Sequence, residues 1–593
     1  MREHWRAIVL LLRATWRTDR RNSIGVMAET LSYLRIPLFA WCLKLMTEGA
    51  LAHDTRRLAL GAAGIALMGV MTFVGMWVGT TCMLRLTESV GFALSRDIAQ
   101  MAAAVPGLEH HERADYQDRL ELLRGGHGAL TNSLSALLYT VNLVLMGVGT
   151  LVALAVASPW LLLIIPFTLP AFPIARAEQR WFREAEDRMA EPGRRFAYLK
   201  ALTVDRNAGM ELRVFGLEPE VVSRLEASWL ETRRHPTEAG RRSALLSVAG
   251  SLVFLVGFAG LITLMLWLAS RGRITAGDVV MAIFLAQQVR AAIVDPVRGV
   301  TGLGAMLRNA ARLLWLMDYT KEELAKAQGT RPAPDALRDG IVFDHVSFRY
   351  PGTERWVLRD VSFRIPAGGV VALVGENGAG KTTIVKLLCR MYEPTEGRIL
   401  VDGVELAQIG VEEWRQRLSA AFQDFARFEF TAQHTVGVGH LPRLDDPGAV
   451  HAALGRAGAA ELPDTLPAGT ETQLGTRWEG GVDLSTGQWQ KVALGRALMR
   501  EAPLVLFFDE PTASLDALAE HALFERYTQA SRAGAERGAV TVLVSHRFST
   551  VRSADLILVI DGGAVTELGS HDELLLRDGL YAELYQLQAR AYA

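Results

Sequence analysis

From Gly125 to Ala175 the chain runs for 51 residues without an Asp, Glu, Lys or Arg. A helix rising 1.5 Å per residue crosses roughly 30 Å of bilayer hydrocarbon in about 20 residues. The stretch is therefore long enough for two crossings, and Ser158-Pro159 lies where a turn would divide it. Leu58 to Leu84, with 27 uncharged residues, and Ser243 to Ser270, with 28, each suffice for one more. Two weaker candidates flank these four. Ile24 to Leu51 is interrupted by Glu29, Arg35, Lys44 and Glu48, and Thr275 to about Met306 by Asp278, Arg290, Asp295 and Arg298. Six spans are expected. Charge at the bilayer centre costs about 2.5 kcal/mol or more. Glu29, Arg35, Arg290, Asp295 and Arg298 are therefore expected to face a cavity rather than lipid or to lie on cytoplasmic extensions of the first and sixth helices.

The loops set the expected orientation. Six arginines, from Arg2 to Arg21, precede the first span, and the long connections, about Arg85 to Arg124 and Arg176 to Arg242, are rich in Arg and Glu. Positive charge favours the cytoplasmic side, so the amino terminus and both long loops belong there, in a multi-pass protein of the cytoplasmic membrane. The first 20 residues read as an amphipathic helix on the inner membrane surface. A net charge of -1 over 593 residues gives no global attraction to nucleic acid, and Cys42, Cys82 and Cys389 form no CxxC pair.

Residues 1–320 thus read as a transmembrane domain, and 321–340, polar with two prolines, as a linker. In 341–593, short β-branched runs such as Val370 to Val374 and Leu504 to Phe508 alternate with helical stretches, the pattern of an α/β domain with a buried parallel sheet. Gly375-Glu376-Asn377-Gly378-Ala379-Gly380-Lys381-Thr382 follows one of these strands and opens a helix with Thr383 and Ile384. This is a P-loop in its required context. Glycines let successive N–H groups face phosphate, the helix dipole adds positive potential, Lys381 reaches the β and γ phosphates, and Thr382 supplies a hydroxyl to magnesium. A second strand ends in Asp509-Glu510, where Asp509 can hold the magnesium shell and Glu510 can deprotonate an attacking water. His546, just past the strand Thr541 to Ser545, could bond the γ phosphate from the same sheet edge.

Leu484-Ser485-Thr486-Gly487-Gln488, ending 21 residues before Asp509, resembles the LSGGQ motif of ATP-binding cassette (ABC) transporters. With Gln423 as Q-loop, Ser514-Leu515-Asp516 as D-loop and His546 as H-loop, the ordered set is complete, and six spans ahead of one cassette resemble the half-size exporter type. Thr486 stands where the family usually has Gly, and Ala513-Ser514 inverts the common Ser-Ala. The resemblance implies an all-α six-helix transmembrane domain followed by an α/β P-loop NTPase cassette with a helical subdomain. It implies ATP and Mg2+ as cofactors. Catalysis would fall to Glu510, His546 and Lys381, and metal binding to Thr382, Gln423 and Asp509. Tyr350 would stack on adenine, and Ser485, Thr486, Gly487, Gln488 and Asp516 would contact nucleotide.

In this family ATP is held between the P-loop of one cassette and the signature of another, so one chain cannot complete a site. A second half-transporter is implied, a homodimer being simplest and a heterodimer possible. Leu108 to Leu123 and Asn207 to Leu217 lie where exporters carry coupling helices. The expected activity is ATP-driven export of an amphipathic small molecule, lipid or peptide by alternating access. A lipid flippase or siderophore importer on the same architecture, and an ATP-gated channel, are the alternatives.

Overall fold

The computed structural model describes residues 2–592 apart from 33–34, 114–115, 117–118, 120–126, 158, 511–536 and 546. They divide into two compact units, Met1–Gln100 with Leu120–Leu316 and Met101–Arg119 with Met317–Ala593. Helices run through the first unit and its junctions: α1 Arg2–Thr18, α2 Arg20–Ser32, α3 Arg35–Leu51, α4 Thr55–Ala104, α5 Glu109–Glu112, α6 His127–Ala157, α7 Ile165–Thr168, α8 Ala171–Val204, α9 Arg206–Val214, α10 Glu218–Ser270 and α11 Ala276–Ala327. Among the described residues, four helical stretches are long and apolar enough to cross a membrane: Thr55–Ala104, Pro159–Met189, Glu218–Ser270 and Ala276–Ile293. The apolar stretch Thr140–Val156 is shorter.

The 50 residues of α4 and 53 of α10 make helices roughly 75 to 80 Å long, more than twice the hydrocarbon thickness. Much of what reads as charged loop is therefore helix continuing past the lipid. Its exposed faces carry i,i+4 pairs such as Arg195–Glu191, Arg224–Glu220 and Arg234–Glu238. Likewise α11 continues to Ala327, into the polar segment expected to be linker, because Glu322, Glu323 and Lys326 suit a helix surface and Lys326 pairs with Glu323 at 2.7 Å.

Within the first unit, Leu154, Leu161 and Ile164 pack with Leu261, Met265 and Leu268 of α10 and with Leu285, Ala286 and Val289 of α11. At Thr275 and Asp278 the end of α11 meets α3, where Lys44 lies 2.6 Å from Asp278 and Glu48 accepts from the Thr275 hydroxyl at 2.6 Å. Small residues let α4 approach its neighbours: Gly64 abuts Cys42 of α3, and Gly25 of α2 abuts Cys82. Glu29 lies half-buried against Gly79 of α4, where the missing Cβ leaves room for the carboxylate. The carboxylate of Glu29 thus has a protein neighbour on α4. Asp295 is half-buried, while the side chains of Arg35, Arg290 and Arg298 fall outside those described.

The second unit contains the strands β1 Gly340–Arg349, β2 Trp356–Pro366, β3 Val370–Gly375, β4 Glu396–Val401, β5 Val404–Glu405, β6 Leu418–Ala421, β7 Val505–Asp509, β8 Val540–Val544, β9 Leu556–Asp561 and β10 Ala564–Gly569. Four form an antiparallel sheet in the order β2-β1-β4-β5, and six form a second in the order β10-β9-β3-β8-β7-β6, parallel from β9 to β6. Every residue of β7 and β8 is buried, as apolar runs without alternation predict for a parallel sheet covered on both faces. Helices α12 Lys381–Leu388, α13 Val411–Gln416, α14 Ala432–Gly437, α15 Pro447–Arg456 and α16 Thr486–Ala497 complete the elements that shape the site. The last three surround a separate core of Val436, Leu454, Leu474, Leu484, Trp489 and Val492, the expected helical subdomain.

At Gly61 the backbones of α4 and α3 are nearly in contact, and a Cβ there would stand 2.6 Å from Met46 N and 2.8 Å from its Cα. Gly61→Val should destabilise the protein by about 1–3 kcal/mol through overpacking. The check is the unfolding midpoint in detergent, which falls by several degrees, whereas Gly69→Val, with no atom within 4 Å of its Cβ, leaves it unchanged.

Candidate functional site

The carboxyl ends of the parallel strands converge on one edge, where open α/β sheets place their ligand crevices. A cleft of about 810 Å³ opens there, lined by Glu376 to Thr383, Gln423 beyond β6 and Glu510 beyond β7, a volume within the range of small-molecule sites. The loop that enters it is shaped by two glycines. Gly375 has φ 155° and would bring a Cβ to 2.2 Å from the Ile560 carbonyl, and Gly380, with φ 111°, would press one within 2.7 Å of Leu358. Helix α12 starts from Gly380 without a side-chain cap, so its first N–H groups remain for an anion.

Lys381 is buried, and its ammonium donates to the carbonyls of Gly375 at 2.8 Å and Glu376 at 2.9 Å, which tethers the cation across the loop. Burial lowers its pKa, opposed by the carboxylates of Glu510 and Asp509. The Thr382 hydroxyl donates to Asp509 Oδ1 at 3.4 Å. Asp509 is 2% exposed, and burial raises its pKa, with the Thr382 hydrogen bond opposing and Glu510 adding to the rise. Glu510, half-buried at the cleft, has φ 47°, a left-handed conformation uncommon for a residue with a side chain. Its N–H donates to the Val544 carbonyl at 2.9 Å, so β8 holds the backbone there.

Tyr350 also lines the cleft, half-buried, with its hydroxyl 3.1 Å from Thr383 Oγ1 and the Lys386 ammonium 5.2 Å from its ring centroid. Arg355, Trp356, Arg359 and Asp561-Gly562-Gly563 line it too, and sequence reasoning missed them. A signal existed for the last three, since a Gly-Gly pair between two apolar runs marks a tight hairpin. Its glycines have φ 54° and 83°. Ser485 to Gln488 do not line the cleft. Ser485 caps α16 in a capping box: its Oγ accepts from Gln488 N at 3.3 Å, and the Gln488 side chain accepts from Ser485 N at 2.9 Å. Thr486 is exposed, and Gln488 borders a separate hollow of about 420 Å³ with Lys491 and Glu461. Asp516 and His546 lie outside the described residues.

Residues 106–112, which overlap the start of the first expected coupling segment at Leu108, make contacts within this unit. The Arg415 guanidinium donates to the carbonyls of Pro106 and Arg390 at 2.7 Å and of Cys389 at 3.0 Å, and Leu108 N donates to Met391 O at 3.2 Å. Burial lowers the Arg415 pKa. The cation gathers carbonyls just past the carboxyl end of α12, where positive charge is favoured. Glu112 lies 3.8 Å from Lys386 of the same helix.

Comparison with known proteins extends the likeness to both units. Residues 358–513 match the ABC transporter family and residues 23–293 the ABC transporter transmembrane region. An ATP-dependent lipid A-core flippase of Bordetella avium is 31% identical over 575 residues, covering 93% of this chain and 92% of that protein. A protein of the same name from Alkalilimnicola ehrlichii is 33% identical over 438 residues, covering 73% and 71%. A solved bacterial Atm1-family ABC exporter with ATP bound superposes with a TM-score of 0.76 at 26% identity, covering 96% of this chain and 98% of that one.

The tethered ammonium generates a pH prediction. A buried lysine with a lowered pKa is a cation below that pKa and neutral above it, so its attraction for phosphate is lost as pH rises through the lowered value. Nucleotide affinity, followed by fluorescence between about pH 7 and pH 10, should weaken before exposed lysines titrate at about 10.4. Lys381→Arg, whose charge persists, should keep whatever affinity it has across that range.

Proposed function

The chain belongs to the ABC transporters, as a half-size exporter, and from that premise we propose that it moves a lipid-like amphiphile across the cytoplasmic membrane as a homodimer. It is a multi-pass membrane protein that couples ATP hydrolysis to export, and its architecture requires two cassettes. The likeness over nearly full length to proteins named lipid A-core flippases supports a lipid cargo. Arg35 and Arg290, placed by sequence within the first and sixth spans, would suit an anionic headgroup. In this reading the amino terminus and the cassette lie in the cytoplasm.

The pair that carries the catalytic reading is Asp509 and Glu510 at the carboxyl end of β7, facing the loop that tethers Lys381. Lys381 and the open N–H groups of α12 would hold the β and γ phosphates, and Glu510 would take the proton of the water attacking the γ phosphorus as ADP departs. His546 would bond a γ-phosphate oxygen and Tyr350 would stack on adenine. The Thr382 hydroxyl, the Gln423 amide oxygen and the Asp509 carboxylate are hard oxygen donors of the kind Mg2+ takes. A buried carboxyl held above its ordinary pKa also gains from a cation beside it. When bound, Mg2+ would neutralise phosphate charge. Ser485 to Gln488 would complete the site of a second copy: the Ser485 Oγ accepts within its own helix but keeps its proton to donate.

Three experiments test this. In vesicles of defined composition, anionic lipid amphiphiles should raise ATPase activity and soluble peptides or siderophores should not; the reverse pattern overturns the lipid reading. Glu510→Gln should retain ATP binding while turnover falls by about 10²–10⁴, the usual share of a general base. Mixing a Lys381→Ala chain with a Ser485→Arg chain should restore ATPase activity that neither parent has, because both lesions fall in one of the two shared sites. No gain from the mixture would count against sites shared between copies.

A further inference from the structure

Gln423 lines the P-loop cleft, and Ser485 begins a helix that does not. One side chain bridges the two. Arg496, on the last turns of α16, donates to the Ala426 carbonyl at 2.9 Å, three residues beyond Gln423, and its guanidinium lies 4.5 Å from the centroid of Phe428. A second contact runs the opposite way, with the guanidinium of Arg427 6.0 Å from the ring of Trp489 on the first turn of α16. Trp489 is buried in the helical core and is anchored by its Nε1–H to Asp483 at 3.1 Å. Residues 426–428 are therefore gripped by both ends of α16, through two cation–π contacts and one charged hydrogen bond.

We propose that Arg496 is a positioning residue that links the two ATP sites of the dimer, carrying a shift of the Gln423 segment at one P-loop to the Ser485 segment presented to the second copy. The proposal rests on the reading that Ser485 completes a neighbour's site. Helix α16 is 12 residues long and buries Trp489, Val492, Ala493, Leu494 and Gly495, so a displacement imposed at Arg496 moves its amino-terminal cap with it. The guanidinium is suited to the task because it is half-buried; burial lowers its pKa to about 10, which still leaves it charged at neutral pH. Phe428 presents a flat ring to a flat cation, a contact that Lys would reproduce in charge but not in shape.

The test uses the full chain in lipid vesicles and reads ATPase rate against ATP concentration. The wild type should rise sigmoidally. Arg496→Gln should make the curve hyperbolic and raise half-saturation about fivefold or more, the range of ordinary coupling between sites. Nucleotide binding to Ser485→Arg chains, whose P-loops act alone, should be the same with and without Arg496→Gln, which a general collapse of the cassette would not allow. Arg496→Lys should restore part of the sigmoidicity, Phe428→Leu should reproduce the loss, and the double variant Arg496→Gln with Phe428→Leu should be no worse than either single one, as for residues acting through one contact. Undiminished sigmoidicity in Arg496→Gln, or lesions that add, overturns the link. The mixture of Lys381→Ala and Ser485→Arg chains separates the two layers. If it recovers no activity, the shared site and this proposal fall together; if it recovers activity while Arg496→Gln remains sigmoidal, only the Arg496 link falls.

Discussion

The ammonium group of Lys381 is held by two carbonyls of its own loop, and much of the cassette serves to keep those carbonyls in place. A mobile lysine would offer charge without position. Here β3, between β9 and β8, delivers the loop, and Gly375 passes so close to the Ile560 carbonyl that no side chain fits. The same sheet edge presents Asp509 and Glu510 from the end of β7 and Gln423 from just beyond β6. Parallel strands make this convergence possible because all their carboxyl ends point one way.

The signature segment is placed by a different principle. Helix α16 needs its first N–H groups satisfied, and Ser485 and Gln488 cap each other reciprocally. That arrangement stabilises the helix end, which does not line the P-loop cleft of its own chain. An element that resembles a nucleotide-binding motif but does not line its own cleft is consistent with an architecture that requires two cassettes. The contacts of Arg496 and Arg427 tie this helix to residues 426–428, three to five positions after the cleft residue Gln423.

In the membrane unit the constraint is the bilayer, which gives apolar side chains no reason to prefer one another over lipid. Contact then depends on shape and polar pairing. Gly61, Gly64 and Gly79 along α4 admit Met46, Cys42 and Glu29 at distances that any Cβ would forbid, and Lys44 pairs with Asp278 between α3 and α11. The charged residues that weaken the first and last spans in a hydropathy reading are thus partly the residues that bind these helices to their neighbours.

Hydropathy, glycine spacing and strand-to-loop punctuation are local properties, and they sufficed for a helical membrane domain, the P-loop and the Asp509-Glu510 strand end. Each is decided by residues adjacent in the chain. Of the six expected spans, four appear as long apolar helices among the described residues. The ends of the long helices were not legible: charged Arg- and Glu-rich stretches look alike whether they form loops or helices that continue into water. Nor was the set of cleft residues complete, since Arg355, Trp356 and Asp561 to Gly563 reach it from β2 and the β9–β10 hairpin, and only strand order brings them there. The docking of Pro106 and Leu108 on Arg415 and Met391, and of Ala426 on Arg496, joins residues distant in sequence through backbone carbonyls. A carbonyl is the same in every residue, so the chain determined its own chemistry while packing alone decided which distant groups would share it.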